Sequence, residues 1–225
     1  NLIINISGVF LSAKVVVFSG IDGCGKSTQI ELLGRYYESR GEKYKTIWVR
    51  PGSTPFILGL KSFARFFFKS LPKAGRSDQR ENLLKKSKIG RLWFYLTFID
   101  LIYIFKIRVP ILGLVGYKVI YDRHIFDSII DYQIMLERPL LDNSLIKWLL
   151  RPNKNIVKIF LEIPIETSIE RCNQKWEPFP DTAGEKEQRY KIYCDNIRSQ
   201  NYVQFDGLKS PDIIHELILQ LIKDH

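Results

Sequence analysis

The 225-residue chain is 45% hydrophobic and 13% aromatic, a composition that supports one folded core and excludes a mostly disordered chain. Its formal net charge of +10 suits an anionic ligand, such as a nucleotide, a nucleic acid or an acidic membrane surface, without choosing among them. Three cysteines, odd in number and without metal-ligand spacing, favour free thiols in a reducing cytosol. We therefore expect a globular, cytoplasmic protein.

Short β-branched runs alternate with helical stretches along the chain. Residues 1–13 lack the basic start of a secretory signal, and we expect an N-terminal extension there, followed by one folded domain over 14–225. The runs that predict buried strands are 14–19, 44–49, 117–122, 156–163 and 202–205. Strand, helix, strand in repeated order predicts an α/β fold, a parallel sheet with helices on both faces.

Helical patterns fill the segments between these strands. The last helix has a clear start, with Ser210 as N-cap and Pro211 in the first turn. The predicted helices cover about 26–40, 56–70, 80–106, 125–137, 143–150, 165–175, 184–199 and 211–223. Residues 73–88 are highly charged and predict a surface insertion or a linker.

The most hydrophobic run, residues 92–105, contains Asp100 and is only 14 residues long. A membrane-spanning helix needs about 20 mostly apolar residues, so membrane association is not expected. Because apolar side chains occupy every face of this helix, we expect all its faces to be buried. The covering surface is then the core, a subunit interface or a membrane surface.

A glycine-rich segment after the first strand has P-loop spacing: Gly20, four residues, then Gly25-Lys26-Ser27. Glycines allow successive backbone N–H groups to face one phosphate, and the helix that follows adds the positive end of its dipole. Lys26 is expected to contact the β- and γ-phosphates, and the Ser27 hydroxyl to bind Mg²⁺. The predicted nucleotide-binding residues are Gly20, Asp22, Gly23, Cys24, Gly25, Lys26, Ser27 and Thr28.

Asp122 and Arg123 end the third predicted strand. A carboxylate there can hold the water shell of Mg²⁺, and an adjacent arginine can bind a phosphate. Such a pair can also be a surface ion pair of small value. The P-loop in the same chain favours the functional interpretation, because phosphoryl transfer needs these charges.

Four segments resemble, in order and spacing, the signature segments of the thymidylate kinases and their thymidylate kinase-like relatives. These are FSGIDGCGKST (18–28), VRPGSTP (49–55), YDRHIFDSIIDYQ (121–133) and FLEIPIETSIERC (160–172). The ending, residues 205–218, resembles the last strand, adenine-side loop and closing helix of that family. The resemblance implies a three-layer P-loop NTPase fold with a five-stranded parallel sheet and a mobile lid.

The resemblance also implies a function and partners. The implied activity is ATP- and Mg²⁺-dependent phosphoryl transfer to a nucleoside monophosphate, dTMP above all, by a homodimer that binds no nucleic acid. Asp22 would face the acceptor sugar, Arg123 would bind the acceptor phosphate, and Arg50 would be a further phosphate contact. In the implied lid, residues 171–189, Arg171 and Lys175 lie one helical turn apart and can close over the transferring group, or can be solvated helix charges.

Residue chemistry adds an argument about the acceptor group. A phosphate has a second pKa of about 6 and attacks without a general base, whereas a hydroxyl benefits from a carboxylate that takes its proton. After the second predicted strand the chain has Arg50 and Pro51 but no Asp or Glu. This favours a phosphate acceptor, although Asp22 and Asp122 remain available as bases.

Three departures from the family pattern leave the acceptor base open. Ser128 comes one residue later than the serine of the family, the implied lid has fewer arginines, and Asp100 stands near the place of a base-reading arginine. Asp100 could accept hydrogen bonds from an amino-bearing base or from sugar hydroxyls, or could pair with Arg91 or Lys106.

Other classes have weaker support. The Asn-Lys pair in residues 151–155 is followed by Ile156 instead of the aspartate of a GTPase guanine loop. A nucleic-acid-binding ATPase is supported only by net charge, since the basic residues are dispersed. The remaining alternatives are a kinase of the same fold for another nucleotide, nucleoside, sugar or lipid-linked headgroup, and a catalytically silent ATP-binding protein.

Overall fold

A computed structural model describes residues 15–49, 54, 57–59, 62, 88–151, 156–174 and 182–223. The predicted N-terminal extension and most of the charged segment 73–88 lie outside these residues, as does much of the predicted helix 56–70. Arg50 and Lys175 also lie outside them, so their predicted roles stay predictions.

Five parallel strands form one sheet, as the sequence predicts. They are β1 Val15–Ser19, β2 Tyr44–Trp48, β3 Lys118–Asp122, β4 Ile156–Glu162 and β5 Val203–Asp206. Their spatial order is β2-β3-β1-β4-β5, and all four pairings are parallel. In register, Phe18 of β1 lies opposite Asp122 of β3 and Ile159 of β4, so the loops after these strands open at one edge of the sheet.

Helices cover the sheet in the predicted places within the described ranges. They are α1 Lys26–Ser39, α2 Lys88–Ile102, α3 Val109–Leu114, α4 Ile125–Leu136, α5 Ser144–Leu149, α6 Ile165–Asn173, α7 Ala183–Asn196 and α8 Pro211–Lys223. A π-helical segment, Tyr103–Arg108, joins α2 to α3. The predicted cap of α8 is confirmed, because the Ile213 N–H donates to Ser210 Oγ at 3.4 Å.

The predicted end of the long helix at residue 106 is wrong, since helical structure continues to Leu114. Pro110 ordinarily argues against such continuation, because it lacks an N–H and its ring clashes with the carbonyl four residues back. The π-helical segment just before it changes the hydrogen-bond spacing, and the Val109 N–H donates to Ile104 O, five residues back. The chain therefore passes the proline without leaving the helix.

Two hydrophobic clusters lie on opposite faces of the sheet and produce its three layers. Side chains alternate along β1, so Val16 and Phe18 join the cluster with α1, α4, α7 and α8. Val15 and Val17 join the second cluster, which contains Leu101 of α2 and the π-helical segment. The two-sided burial explains why the central strands are rich in β-branched residues.

One face of α2, the π-helical segment and α3 is exposed in the single chain, so the core alone does not cover this hydrophobic run. We call this face the apolar stripe. Its members are 45% to 62% exposed and are Tyr95, Ile99, Tyr103, Ile107, Ile111, Leu114 and Val115. The opposite face, with Phe98, Leu101 and Ile104, is buried. Among the described residues, no helix combines the length and apolarity needed to cross a membrane.

Candidate functional site

The loop between β1 and α1 has the backbone of a phosphate-binding loop. Gly20, Gly23 and Gly25 have φ values of 143°, 80° and 98°, a backbone region that residues other than glycine rarely adopt. A Cβ on Gly20 would lie 2.6 Å from Leu161 O and 2.7 Å from Cys24 Sγ. All three glycines are therefore favoured by conformation, and Gly20 is also required by space; together they curl the loop around the start of α1.

The Lys26 side chain lies back across this loop. Its Nζ donates to the carbonyls of Gly20 at 2.9 Å and Ile21 at 3.0 Å, and lies 3.9 Å from Asp22 Oδ1. The side chain is only 9% exposed. The ammonium is thus held at the N-terminal end of α1, where an anion is also favoured by the helix dipole.

Asp22 and Arg123 form an ion pair between the loop and the end of β3. Arg123 Nη2 donates to Asp22 Oδ1 at 2.7 Å, and both side chains are 23% exposed. The Arg123 backbone has φ 74°, and its N–H donates to Phe18 O at 3.0 Å. Burial raises the pKa of Asp22, but Arg123 and Lys26 outweigh it and hold that pKa below its ordinary value.

Ser27 and Asp122 line one cleft of about 380 Å³, between the start of α1 and the end of β3. Burial raises the pKa of Asp122, and the neighbouring carboxylates of Asp127 and Asp22 add to the rise. A hydroxyl and a carboxylate fit Mg²⁺, which binds few protein oxygens and keeps water and phosphate ligands. The described part of the chain has no group of three or more His, Cys, Asp or Glu placed to hold a metal.

Helix α6 contacts the loop from the opposite side. Arg171 Nη1 donates to Gly23 O at 3.0 Å, and Ser168 Oγ donates to Asp22 O at 2.6 Å. The structure therefore brings Arg171, at the start of the predicted lid, to the phosphate-binding loop. Lys175 cannot be compared, because it is not described.

Two cations of α7, Lys186 and Arg189, were not predicted as site residues. They are 7% and 8% exposed, and both lower the pKa of Asp22, which places them near the Asp22–Arg123 pair. Arg189 also donates to Asp131 of α4. Their spacing of three residues puts them on one helix face, a signal that the sequence contains within the implied lid. Four cations from three elements thus surround one carboxylate.

Cys24 and Thr28 differ in how they face the site. Cys24 is 1% exposed, its N–H donates to Ile21 O at 3.4 Å, and burial raises the pKa of its thiol. The thiol faces the interior and lies 3.6 Å from Lys26 Nζ. Ser27 and Thr28, in contrast, are exposed in the first turn of α1.

The loop after β5 lies against the phosphate-binding loop. The Gly207 N–H donates to Glu162 O at 2.8 Å, and a Cβ on Gly207 would lie 2.7 Å from Ile163 Cγ2 and 3.1 Å from Cys24 O. The loop after β5 thus lies beside the phosphate-binding loop. The resemblance to the thymidylate kinases implies adenine on this side.

Asp100 is buried, and it accepts a hydrogen bond from the Thr54 hydroxyl. Lys106, one of the pairing partners considered from the sequence, has its Nζ 5.2 Å from the centre of the Trp148 ring. The other candidate, the Arg91 side chain, lies outside the described side chains. A hydroxyl is therefore one partner of this carboxylate.

No family model matches the sequence, but individual known proteins are similar to it. A thymidylate kinase of Thermosipho africanus (strain TCF52B) is 28% identical over 224 residues, 93% of this chain and 98% of that protein. A thymidylate kinase of Fervidobacterium nodosum is 60% identical over 40 residues, only 17% of this chain and 19% of that protein.

A solved structure of deoxyadenosine kinase from M. mycoides, with the products dCMP and dCDP bound, supports the fold. It covers 94% of this chain and 100% of its own, with a TM-score of 0.55 and 15% identity. In this chain the glycine loop leads directly into the N-terminus of α1, where the helix dipole favours an anion. The chain is therefore similar in sequence to a thymidylate kinase over 93% of its length, and similar in fold to a deoxyadenosine kinase.

Proposed function

We propose that the protein transfers the γ-phosphoryl group of ATP to a nucleoside monophosphate, with dTMP as the preferred acceptor and dTDP as the product. The observation that carries this proposal is the Asp22–Arg123 contact, because it puts a second, distinct cation beside the loop that holds Lys26. One cation serves the donor phosphates, and the other is placed for a phosphate on the acceptor.

The chain supplies positioning and charge, which is most of what phosphoryl transfer requires. Ser27 and Asp122 would hold Mg²⁺, which would neutralise charge on the donor phosphates when bound. Lys26 and the loop N–H groups orient the donor phosphates. Arg123 orients the acceptor phosphate in line, and Arg171 is placed to offset the charge of the transferring group.

The environment of Asp22 supports a phosphate acceptor over a hydroxyl. Its pKa lies below the ordinary value and its carboxylate accepts from Arg123, so it is a weak and already engaged base. An acceptor phosphate needs no proton removed and can bind Arg123 in place of Asp22. The arrangement therefore suits formation of a phosphoanhydride.

The test is ADP formation from ATP and Mg²⁺ with dTMP, dUMP, UMP, CMP and several sugars, with Lys26→Ala as the blank. We expect turnover with nucleoside monophosphates and the highest kcat/KM with dTMP. Turnover with a sugar or nucleoside alone would contradict the proposal, and ATP binding without any turnover would favour a silent ATP-binding protein.

Asp100 supports a second candidate, a kinase of the same fold with a different small acceptor. A carboxylate only accepts hydrogen bonds, so it cannot replace the donors of the base-reading arginine that the resemblance implies. Its bond with Thr54 shows that a hydroxyl is a suitable partner at this position. In the acceptor panel, preference for CMP over dTMP would favour this candidate.

The metal roles of Ser27 and Asp122 lead to a specific prediction. Ser27→Ala and Asp122→Asn are each expected to lower kcat about 10²-fold and to raise the Mg²⁺ concentration needed for half-maximal activity, because the first removes a hydroxyl and the second a negative charge that would hold the metal. The measurement is activity against Mg²⁺ concentration at fixed ATP.

Glu31→Gln is the matched control, since Glu31 lines the same cleft but pairs with Arg35. It is expected to leave the Mg²⁺ dependence as in the wild type. An unchanged Mg²⁺ dependence in Asp122→Asn would contradict the metal role of Asp122.

We also propose that the apolar stripe is the interface of a homodimer. Its seven exposed side chains present about 700 Å² per copy, close to the roughly 800 Å² that each partner buries in a standard interface. In an α-helix, residues spaced by four drift slowly around the helix axis, because four residues make slightly more than one turn. The wider turns of the π-helical segment offset this drift, so the exposed side chains stay on one face.

The prediction is that Ile99→Glu and Ile107→Glu each shift the protein from dimer to monomer at micromolar concentration, since a charge would be buried at the interface. Sedimentation velocity measures the shift. Ile213→Glu on α8 is the control, because Ile213 is a similarly exposed isoleucine away from the stripe. A wild type that sediments as a monomer at this concentration would refute the dimer.

A further inference from the structure

Asp127, in the first turn of α4, has a hydrogen-bond network that the proposed roles above do not use. Its side chain is fully buried. Oδ2 accepts from the backbone N–H of His124 at 2.7 Å and from Ser19 Oγ at 2.6 Å. Oδ1 accepts from the Tyr193 hydroxyl of α7. One carboxylate thus binds three different elements.

Each donor lies next to a part of the candidate site. Ser19 is the last residue of β1 and directly precedes the phosphate-binding loop. His124 directly follows Arg123, whose backbone is in the left-handed region. Tyr193 is one helical turn from Arg189, one of the two buried cations of α7. Asp127 therefore joins the residue before the phosphate-binding loop, the residue after Arg123, and α7, which begins within the implied lid.

The network exceeds what helix capping requires. A capping box at the start of α4 needs only the bond from the His124 N–H, which a single oxygen accepts. The second oxygen is used for Tyr193, 66 residues away in the chain. Burial raises the pKa of Tyr193, and so does Asp127, so this hydroxyl stays protonated and keeps donating.

The second tyrosine in this network supports Ser19. The Tyr202 hydroxyl lies 3.2 Å from Ser19 Oγ, and the Tyr202 side chain is buried. The carboxylate accepts from the Ser19 hydroxyl, whose oxygen is free to accept from Tyr202. A buried carboxylate is costly unless its oxygens accept several hydrogen bonds, and this network provides them.

We propose that Asp127 is a positioning residue that holds Arg123 and the α7 cations, Lys186 and Arg189, in one fixed arrangement around the acceptor phosphate. The inference rests on the proposed function. Asp127 acts through the backbone after Arg123 and through the Tyr193 hydroxyl, without contacting the substrate itself. Loss of either link is expected to affect the acceptor side of the site more than the ATP side.

Tyr193→Phe tests this most cleanly, because it removes one hydroxyl and keeps the buried ring. We expect about a tenfold loss of kcat/KM for the acceptor that the wild type uses, with the KM for ATP changed less than about twofold. Asp127→Asn removes the charge as well and is expected to lose about 30-fold or more.

Tyr37→Phe is the matched control. Tyr37 is buried in α1, and its hydroxyl has no hydrogen-bond partner among the described residues, so its removal is expected to leave both KM values unchanged. Where Asp127→Asn fails to fold, Tyr193→Phe decides alone. Equal changes in the KM values for ATP and acceptor, or a Tyr193→Phe indistinguishable from Tyr37→Phe, would overturn the proposal.

Hydrogen exchange gives a readout that needs no turnover. In Tyr193→Phe we expect faster amide exchange in residues 122–124 and 183–196, with 26–39 unchanged. Faster exchange confined to 183–196 would overturn the coupling. A wild type without activity on any nucleoside monophosphate would instead refute the proposed function, and the exchange result would still decide whether Asp127 couples the two segments.

Discussion

Lys26→Ala is expected to lower kcat at least about 10³-fold, the largest loss of any single substitution in the phosphate-binding loop. The Lys26 ammonium lies within 3.0 Å of two loop carbonyls and at the N-terminal end of α1. Without it, the loop N–H groups alone would face the charge that develops on the donor phosphates. Steady-state ADP release at saturating ATP and acceptor measures the effect.

The control for this variant is its folding. Lys26 is buried, and its removal leaves the Gly20 and Ile21 carbonyls without their present donor. A melting temperature within a few degrees of the wild type would show that the loss is chemical. Activity above a tenth of the wild-type value in a folded Lys26→Ala would contradict the P-loop assignment.

Arg123→Ala is expected to raise the KM for the acceptor about 10²-fold and to lower kcat, while the KM for ATP changes little. Arg123 is the residue that we propose binds the acceptor phosphate, and a charge-assisted bond to a phosphate in a partly buried site is strong. Substrate titrations at fixed ATP and at fixed acceptor separate the two constants.

Arg123→Lys provides the graded comparison. It keeps one positive charge but loses the paired N–H groups that bind two phosphate oxygens together, so partial recovery is expected. An acceptor KM that stays at the wild-type value in Arg123→Ala would show that this arginine does not bind the acceptor. A parallel rise in the KM for ATP would indicate damage to the Asp22 loop instead.

The fold was largely predictable because its signals are local. The β-branched runs of β1, β3 and β4 are buried on both faces, and that burial is visible in the residue types themselves. The backbone conformation of the phosphate-binding loop was predictable for the same reason, since three glycines in one short segment specify it. The continuation past Pro110 was not, because the π-helical segment contradicts the usual effect of proline.

The part of the site outside the phosphate-binding loop depends on contacts between residues that are far apart in the sequence, and sequence spacing does not reveal them. Arg189 lies beside Asp131, 58 residues away, and Ser19 reaches Asp127 across 108 residues. In the sequence, Lys186 and Arg189 look like solvated helix charges, and only the packing of α7 on α4 buries them. The role of Asp127 could not be predicted, because it arises only when three elements meet.

The exposure of one face of α2 could not be predicted for a similar reason. Hydrophobic residues on all faces of a helix predict complete burial, but they do not say which surface provides it. The chain itself covers Phe98 and Leu101 and leaves Ile99 exposed. Monomer packing therefore accounts for half of the pattern, and the homodimer is our proposal for the remainder.

The chemical identity of the phosphorylated product tests most directly whether the protein transfers a phosphoryl group to dTMP. After incubation with ATP, Mg²⁺ and dTMP, phosphorus NMR distinguishes a new phosphoanhydride from a new phosphomonoester. We expect a nucleoside diphosphate, formed in equal amount to ADP and absent with Lys26→Ala. A phosphomonoester on a sugar or nucleoside hydroxyl, with dTMP left unchanged, would contradict it.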